Sequence, residues 1–202
     1  MKESLLLHPH DHKTVRDWRR ILAFLDQSLQ SVPQSVLDVG GGFGNIACHY
    51  AARGARSVVL DIDESCLARA RSRNAGIRTE CRDINAPLPW DDGLFDLVAC
   101  TGALHYGYVR DTAAIITEMA RVSRRYVLID ILSRYSPYRF IERLYNPLYN
   151  PRTYSSRDSM ALFDPYLLRV RARTSTKSIP LFAELFPFTG KTVYYLLEKN
   201  AL

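Results

Sequence analysis

The chain has 202 residues, of which 47% are hydrophobic and 24% charged, and its formal net charge is +6. This composition is ordinary for a globular protein and suits one domain with a sizeable core. No apolar run approaches the roughly 20 residues of a membrane span, and the three-leucine run near the start is too short for a signal peptide. The four cysteines form no C-x-x-C pair, which favours reduced core thiols. We therefore expect a cytoplasmic protein with a mildly basic surface.

The first predicted element is a helix over residues 14–30. Apolar residues recur at three- and four-residue spacing, as on one face of a helix, with Thr14 as its N-cap. The segment HPHDHK at residues 8–13 precedes it and holds three of the five histidines. A metal site there is the alternative to a simple N-terminal arm. We favour the arm and expect no metal, because no fourth ligand is evident nearby.

Strands and helices then alternate along the chain. Apolar segments predict strands at 35–39, 57–62, 77–84, 95–102 and 125–132, with helices at 45–53, 64–74 and 111–122 between them. Such alternation predicts a parallel sheet that helices cover on both faces. Strands at 166–174 and 192–198 flank a short predicted helix at 179–186, and this spacing suggests an antiparallel edge.

We expect a single domain with four parts. These are an N-terminal helical arm (1–34), a core (35–133), an insert (134–165) and C-terminal edge strands (166–202). The insert interleaves arginine with tyrosine and phenylalanine, and we expect its apolar face to close over a pocket as a lid. The same composition also suits RNA stacking, a membrane interface or a segment packed on its own domain.

The stretch VLDVGGGFGN places Gly40, Gly41, Gly42 and Gly44 on the first turn from strand to helix. In a doubly wound sheet, ligands bind beside this turn, where glycine permits positive φ and close approach of a ligand to the backbone. Gly42, Gly44 and Ala47 also fit the relaxed G-x-G-x-x-A spacing of dinucleotide sites, so the glycines alone leave nicotinamide binding open.

Three acids favour a different ligand. Asp38 precedes the glycines and suits an ammonium or sulfonium cation, although it could instead order the glycine loop. Asp61 ends the second strand, where a carboxylate can accept from both hydroxyls of a ribose. Asp83 follows the third strand and can accept from an adenine amino group, while Ile62 and Ile84 sandwich the ring. An amino acid, a ribose and an adenine without phosphate describe S-adenosylmethionine.

Four segments in order resemble the motifs of class I S-adenosylmethionine-dependent methyltransferases, especially the type 11-like group with ubiquinone, menaquinone and natural-product methyltransferases. They are VLDVGGGFGN, VVLDIDESCLARAR, RDINAPLPWDDGLFDLVACTGALHY and ARVSRRYVLID. The resemblance implies an α/β, Rossmann-like doubly wound seven-stranded sheet, mostly parallel with an antiparallel edge strand. It assigns Asp38 and Gly40 to the methionine moiety, Asp61 to the ribose and Thr101 to the wall beside the methyl donor. The full set of expected cofactor-binding residues is Asp38, Gly40, Gly41, Gly42, Gly44, Asp61, Ile62, Asp83, Ile84 and Thr101.

The resemblance has one visible departure. Ser-Arg-Arg at 123–125 replaces the usual Lys-Pro-Gly-Gly turn before the fifth strand. This connection lies away from the expected ligand, so it has little bearing on cofactor binding.

Methyl transfer from a sulfonium is an in-line displacement, and a base is needed only if the acceptor must lose a proton. The segment TGALHYGYVRD places His105 and Tyr106 at the end of the fourth strand, and LIDIL places Asp130 at the end of the fifth. His105 is the first candidate for a base, with Tyr106 beside it, although a packing role for His105 is an equal alternative. The residues expected to contact the acceptor are His105, Tyr108, Tyr138, Arg139 and Tyr145.

The acceptor is expected to be a small aromatic or lipid-like molecule. The Asn-Pro-Pro-Tyr motif of DNA and glutamine N-methylation is absent, and no Pro-Cys nucleophile follows the fourth strand. Nucleic acid is therefore not the expected partner, and peripheral membrane contact stays an alternative. An RNA-modifying methyltransferase and a non-methylating protein that binds S-adenosylmethionine are the alternative functions.

Overall fold

The computed structural model of the protein describes residues 13–138, 151–163, 168–176 and 190–200. Its strands are β1 (Ser35–Val39), β2 (Arg56–Asp61), β3 (Arg78–Cys81), β4 (Phe95–Cys100), β5 (Ser123–Leu132), β6 (Leu168–Thr176) and β7 (Thr192–Lys199). Its helices are α1 (Val15–Ser28), α2 (Asn45–Ala51), α3 (Glu64–Arg73), α4 (Thr112–Val122) and α5 (Ser156–Phe163).

The seven strands form one sheet in the order β3-β2-β1-β4-β5-β7-β6. Neighbouring strands from β3 to β5 are parallel, and β7 runs antiparallel to both β5 and β6. The predicted seven-stranded, mostly parallel sheet is thereby confirmed. Because β1 pairs with both β2 and β4, the strand order reverses at β1, and the turn after β1 lies at the switch point where ligands bind in such sheets.

Both faces of the sheet are buried, as strand alternation requires. Along β5, Val127 and Ile129 pack on one side with α4 and α5, whereas Tyr126 and Leu128 pack on the other side with α1 and α2. The apolar face of α1 closes the second layer, so the helix seen in the sequence pattern covers the sheet. No helix among the described residues has the length and apolar character needed to cross a bilayer.

Local hydrogen bonds explain where two elements differ from the sequence prediction. The third strand, predicted over 77–84, is confined to Arg78–Cys81, because the carboxylate of Asp83 accepts from the backbone N–H of Asn85 and turns the chain. The helix predicted over 45–53 ends at Ala51, and Gly54 completes the following turn at φ +90°.

Two expectations about the remaining segments have other outcomes. The expectation of core thiols is wrong for Cys81, which is exposed at the sheet edge, whereas Cys48, Cys66 and Cys100 are buried. The predicted helix at 179–186 lies outside the described residues. Within the insert, Tyr154 forms a bridge with Ser133.

Candidate active site

Two adjoining cavities open at the carboxyl ends of the central strands. The large cavity has a volume of about 510 Å³ and the small cavity a volume of about 370 Å³. Gly40, Asp61 and Tyr108 line both of them. These volumes are typical of sites for small molecules, and their position is the one that the switch point of the sheet predicts.

The glycine loop connects β1 to α2 beside the large cavity, and its glycines have different structural roles. Gly40, Gly42 and Gly44 all adopt positive φ. A Cβ on Gly42 would meet nothing within 4 Å, so its backbone faces open space on the wall of the large cavity. A Cβ on Gly44 would lie 2.7 Å from Val59 Cγ2, so this glycine permits close packing of α2 on β2. The structure places Gly44 on neither cavity wall.

Asp38 is buried beneath the glycine loop. Its Oδ2 accepts a hydrogen bond from Ala47 N at 3.2 Å. Burial raises the pKa of this carboxyl to about 7, although hydrogen bonds from the backbone of Ala47 and Ile46 partly oppose the shift. Asp38 lies on neither cavity wall, and its contact with α2 is the geometry expected of a residue that orders the loop.

Asp61 ties the end of β2 to the glycine loop. Its Oδ2 accepts from Gly42 N at 2.8 Å, and its Oδ1 accepts from Asp63 N at 3.0 Å. Asp63 in turn caps α3 by accepting from Ser65 N and Cys66 N. The Asp61 carboxylate is therefore held in a fixed orientation at the junction of the two cavities.

The small cavity unites the three residues expected around an adenine ring. Ile62, which is 68% exposed, lines this cavity together with the largely buried Ile84 and with Asp83. Hydrogen bonds from the backbone and the side chain of Asn85 lower the pKa of Asp83. Asn85 also donates to Tyr108 O and accepts from Arg110 N, which joins the loops after β3 and β4.

The loop after β4 supplies an aromatic wall to the large cavity. The His105 and Tyr106 rings lie 4.6 Å apart between centroids, and Tyr106 stacks on Tyr108 at 5.6 Å. Arg152 anchors this loop, because its backbone N–H donates to His105 O and its guanidinium donates to Arg110 O.

The other expected site residues divide into three groups. Thr101, His105 and Tyr106 line the large cavity. Tyr138 lies on neither cavity wall. Arg139 and Tyr145 lie outside the described residues.

Several residues of the large cavity gave no recognisable signal in the sequence. Lys13 reaches it from just before α1, and Lys191 and Tyr194 reach it from the start of β7. Both segments are far from the glycine loop in the sequence, and neither contains a recognisable motif. The Thr14 N-cap was the one local clue, because it fixes where α1 begins.

Comparisons with known proteins agree with this geometry. Residues 36–125 match the family model of the methyltransferase domain. Over 100 residues, the chain is 38% identical to an uncharacterized methyltransferase of Mycobacterium tuberculosis, covering 48% of this chain and 49% of that protein. Over 107 residues, it is 33% identical to a ubiquinone biosynthesis O-methyltransferase of Hahella chejuensis, covering 51% of this chain and 44% of that protein.

Among solved structures, the fold is similar to that of the magnesium protoporphyrin IX methyltransferase of Synechocystis with bound SAH. The TM-score is 0.71 at 16% identity, and the alignment covers 92% of this chain and 83% of that chain. Residues 36–125 therefore resemble a methyltransferase domain, and the chain has the Rossmann-like fold of a solved methyltransferase. The chain spans about half the length of the curated relatives it matches.

Proposed function

We propose that this protein transfers a methyl group from S-adenosylmethionine to a small aromatic or lipid-like acceptor by in-line displacement. The observation that carries the proposal is the pair of adjoining cavities beside the glycine loop. One cavity is suited to a nucleoside, and the other has space and aromatic walls beyond the junction. The name of the Hahella relative supports an acceptor of the quinone type.

The residues around the junction suit the cofactor. Gly40, Gly41 and Gly42 line the large cavity, where glycine permits close approach of the methionine moiety. A cationic group bound there would favour the ionised form of Asp38 behind the loop, whose pKa is raised to about 7 by burial. Asp61 is the proposed acceptor of the ribose hydroxyls. When bound, S-adenosylmethionine supplies a methyl group on a positively charged sulfur.

The small cavity completes the proposed cofactor site. Ile62 and Ile84 offer apolar contacts to the faces of an adenine, and Asp83 offers a carboxylate to its amino group. The lowered pKa of Asp83 keeps this carboxylate ionised at neutral pH.

The far end of the large cavity is the proposed acceptor site. Trp18, Tyr106, Leu132 and Tyr194 contribute aromatic and apolar surface to this cavity, which suits an aromatic or lipid-like molecule, and the charged Lys13 and Asp130 line it as well. The protein's main task is to hold the acceptor atom in line with the methyl group and to exclude water. His105 and Tyr106 are proposed to contact the acceptor, and residues 134–165 are proposed to contribute a lid to the same single domain.

Calorimetry with S-adenosylmethionine and S-adenosylhomocysteine tests the proposal. We expect both to bind, and we expect a screen of phenol, quinone and lipid acceptors to release S-adenosylhomocysteine with at least one of them. Failure of both nucleosides to bind would overturn the proposal. Binding without turnover of any acceptor would favour the non-methylating alternative, and tight, salt-sensitive binding of bulk tRNA would favour RNA modification.

A further inference from the structure

The end of β5 carries a buried carboxylate with unused hydrogen-bonding capacity. Asp130 is 1% exposed and lines the large cavity. Its Oδ1 accepts a hydrogen bond from Gly102 N at 2.8 Å. Among the described residues, none donates a hydrogen bond to its Oδ2. Because buried carboxylate oxygens are normally hydrogen-bonded, this atom has capacity for a donor on a ligand.

A cation lies near this oxygen, at a distance too long for a hydrogen bond. Lys13 Nζ is 3.6 Å from Asp130 Oδ2, which is longer than a hydrogen bond. The Lys13 side chain is 12% exposed, and its ammonium also lies 5.4 Å from the centroid of the Trp18 ring. A carboxylate, an ammonium and an aromatic face thus meet on one wall of the proposed acceptor site.

Asp130 and Lys13 together favour a ligand group that can both donate and accept a hydrogen bond. A hydroxyl group can donate its hydrogen to a carboxylate and accept from an ammonium at the same time. A carboxylate ligand would be repelled by Asp130, and an ether has no hydrogen to donate. We infer that Asp130 and Lys13 bind the hydroxyl group that receives the methyl group, so that the reaction is an O-methylation. This inference rests on the proposed function.

The assigned step balances in atoms and electrons. The hydroxyl proton passes to Asp130 Oδ2 while the acceptor oxygen forms its bond to the methyl carbon. The bond between that carbon and sulfur breaks, sulfur keeps the electron pair, and Asp130 later releases the proton to solvent. The ammonium of Lys13 stabilises the negative charge that develops on the acceptor oxygen. In this assignment His105 belongs to the wall and does not take the proton.

A matched pair of probes tests the assignment. Equilibrium dialysis at saturating S-adenosylhomocysteine compares 2-naphthol with 2-methoxynaphthalene, which differ only in the donor hydrogen and a methyl group. We expect the wild-type protein to bind 2-naphthol about 10-fold more tightly. Asp130→Asn should reduce that preference to within about twofold, because Gly102 N holds the amide oxygen and leaves an NH₂ group facing the cavity.

Two further variants and one control complete the test. Lys13→Gln should weaken binding of both probes, because the oxygen of either can accept from the ammonium, and should preserve the preference for 2-naphthol. Asp91→Asn removes the same charge at an exposed position and should preserve the wild-type preference. Loss of the preference in His105→Gln together with its retention in Asp130→Asn would overturn the assignment.

The outcomes separate this inference from the proposed function. Failure of S-adenosylhomocysteine to bind would refute the proposed function. Binding of S-adenosylhomocysteine with equal affinity for both naphthalenes, or with binding of neither, would overturn the inference alone.

Discussion

Asp130 and Glu198 lie on neighbouring antiparallel strands, β5 and β7, but at opposite ends of the sheet. Glu198 is buried and forms ion pairs with Arg125 at 3.1 Å, Arg169 at 3.3 Å and Arg171 at 3.0 Å. Asp130 has one backbone donor and an ammonium at 3.6 Å. Away from the cavities, the carboxylate of Glu198 therefore has all its partners within the fold. At the cavity end, the carboxylate of Asp130 can still accept a hydrogen bond from a ligand.

The same contrast appears in the pKa values of two buried carboxyls. Burial alone would raise the pKa of Glu198, but hydrogen bonds from Arg171, Arg125 and Arg169 outweigh it and lower the value. At the cavity end, burial dominates and raises the pKa of Asp38 to about 7. Glu198 therefore favours the folded state in its charged form, whereas ionisation of Asp38 disfavours the folded state.

The largest expected effect is on ligand binding at the junction of the cavities. Asp61→Ala should weaken binding of S-adenosylhomocysteine about 100-fold, equivalent to about 2.7 kcal/mol, since it removes the proposed ribose contact and the acceptor of Gly42 N. Calorimetry measures the change, and Asp91→Ala at an exposed position is the control. An affinity within threefold of wild type would make the ribose assignment wrong.

A smaller effect, on stability alone, is expected at Glu198, at the end of the sheet away from the cavities. Glu198→Gln should lower the free energy of unfolding by about 2 kcal/mol, because it leaves three arginines without their shared carboxylate. The partial exposure of these arginines to solvent keeps the loss below that of a fully buried pair. Urea unfolding measures it. Affinity for S-adenosylhomocysteine should not change, and a joint loss of both properties would contradict the separation of the two ends.

The contributions of Asp38 and Glu198 to stability should change with pH in opposite directions. Between pH 5 and pH 6, Asp38 is protonated in the folded protein and ionised in the unfolded chain, so its contribution to stability falls by about 1.4 kcal/mol as pH rises. Asp38→Asn should remove this component from urea unfolding curves of the ligand-free protein. Glu198 acts oppositely, since its contribution is lost as pH falls through its lowered pKa. Identical pH profiles of wild type and Asp38→Asn would show that Asp38 is not protonated when folded.

The smallest effect concerns α1, which begins beside the large cavity and ends near Arg171 at the other end. Thr14 caps the helix through a reciprocal pair of hydrogen bonds with Asp17. Thr14→Ala should cost about 1 kcal/mol of unfolding free energy, and Thr14→Ser should retain most of it. Thermal unfolding of the two variants compares them. Equal stability of Ala and Ser at this position would mean that the cap contributes nothing.

Local rules predicted much of the fold. Thr14 caps its helix as the sequence predicted, because capping depends on residues two or three positions apart. The alternation of apolar segments predicted the parallel sheet, because each buried strand needs helices on both faces. Those rules could not separate the roles of the glycines. Gly42 faces a cavity and Gly44 packs against Val59, yet both occur in the same loop with positive φ.

Contacts between distant segments lay beyond such rules. The insertion of β7 between β5 and β6 creates the arginine cluster at Glu198, and no spacing in the sequence marks that pairing. In the same way, Lys13 lies close to Asp130 although more than half of the sequence separates them.

The sequence by itself determined the class of fold, the position of the candidate ligand site at the first turn, and the acids Asp61 and Asp83 at or just after the ends of their strands. It could do so because strand ends and glycine turns are local features that a parallel sheet brings to one edge. Only the tertiary structure decided that Asp38 lies behind the loop and that Lys13 joins Asp130 on the wall of the large cavity. These arrangements depend on packing between remote elements, which residue spacing does not encode.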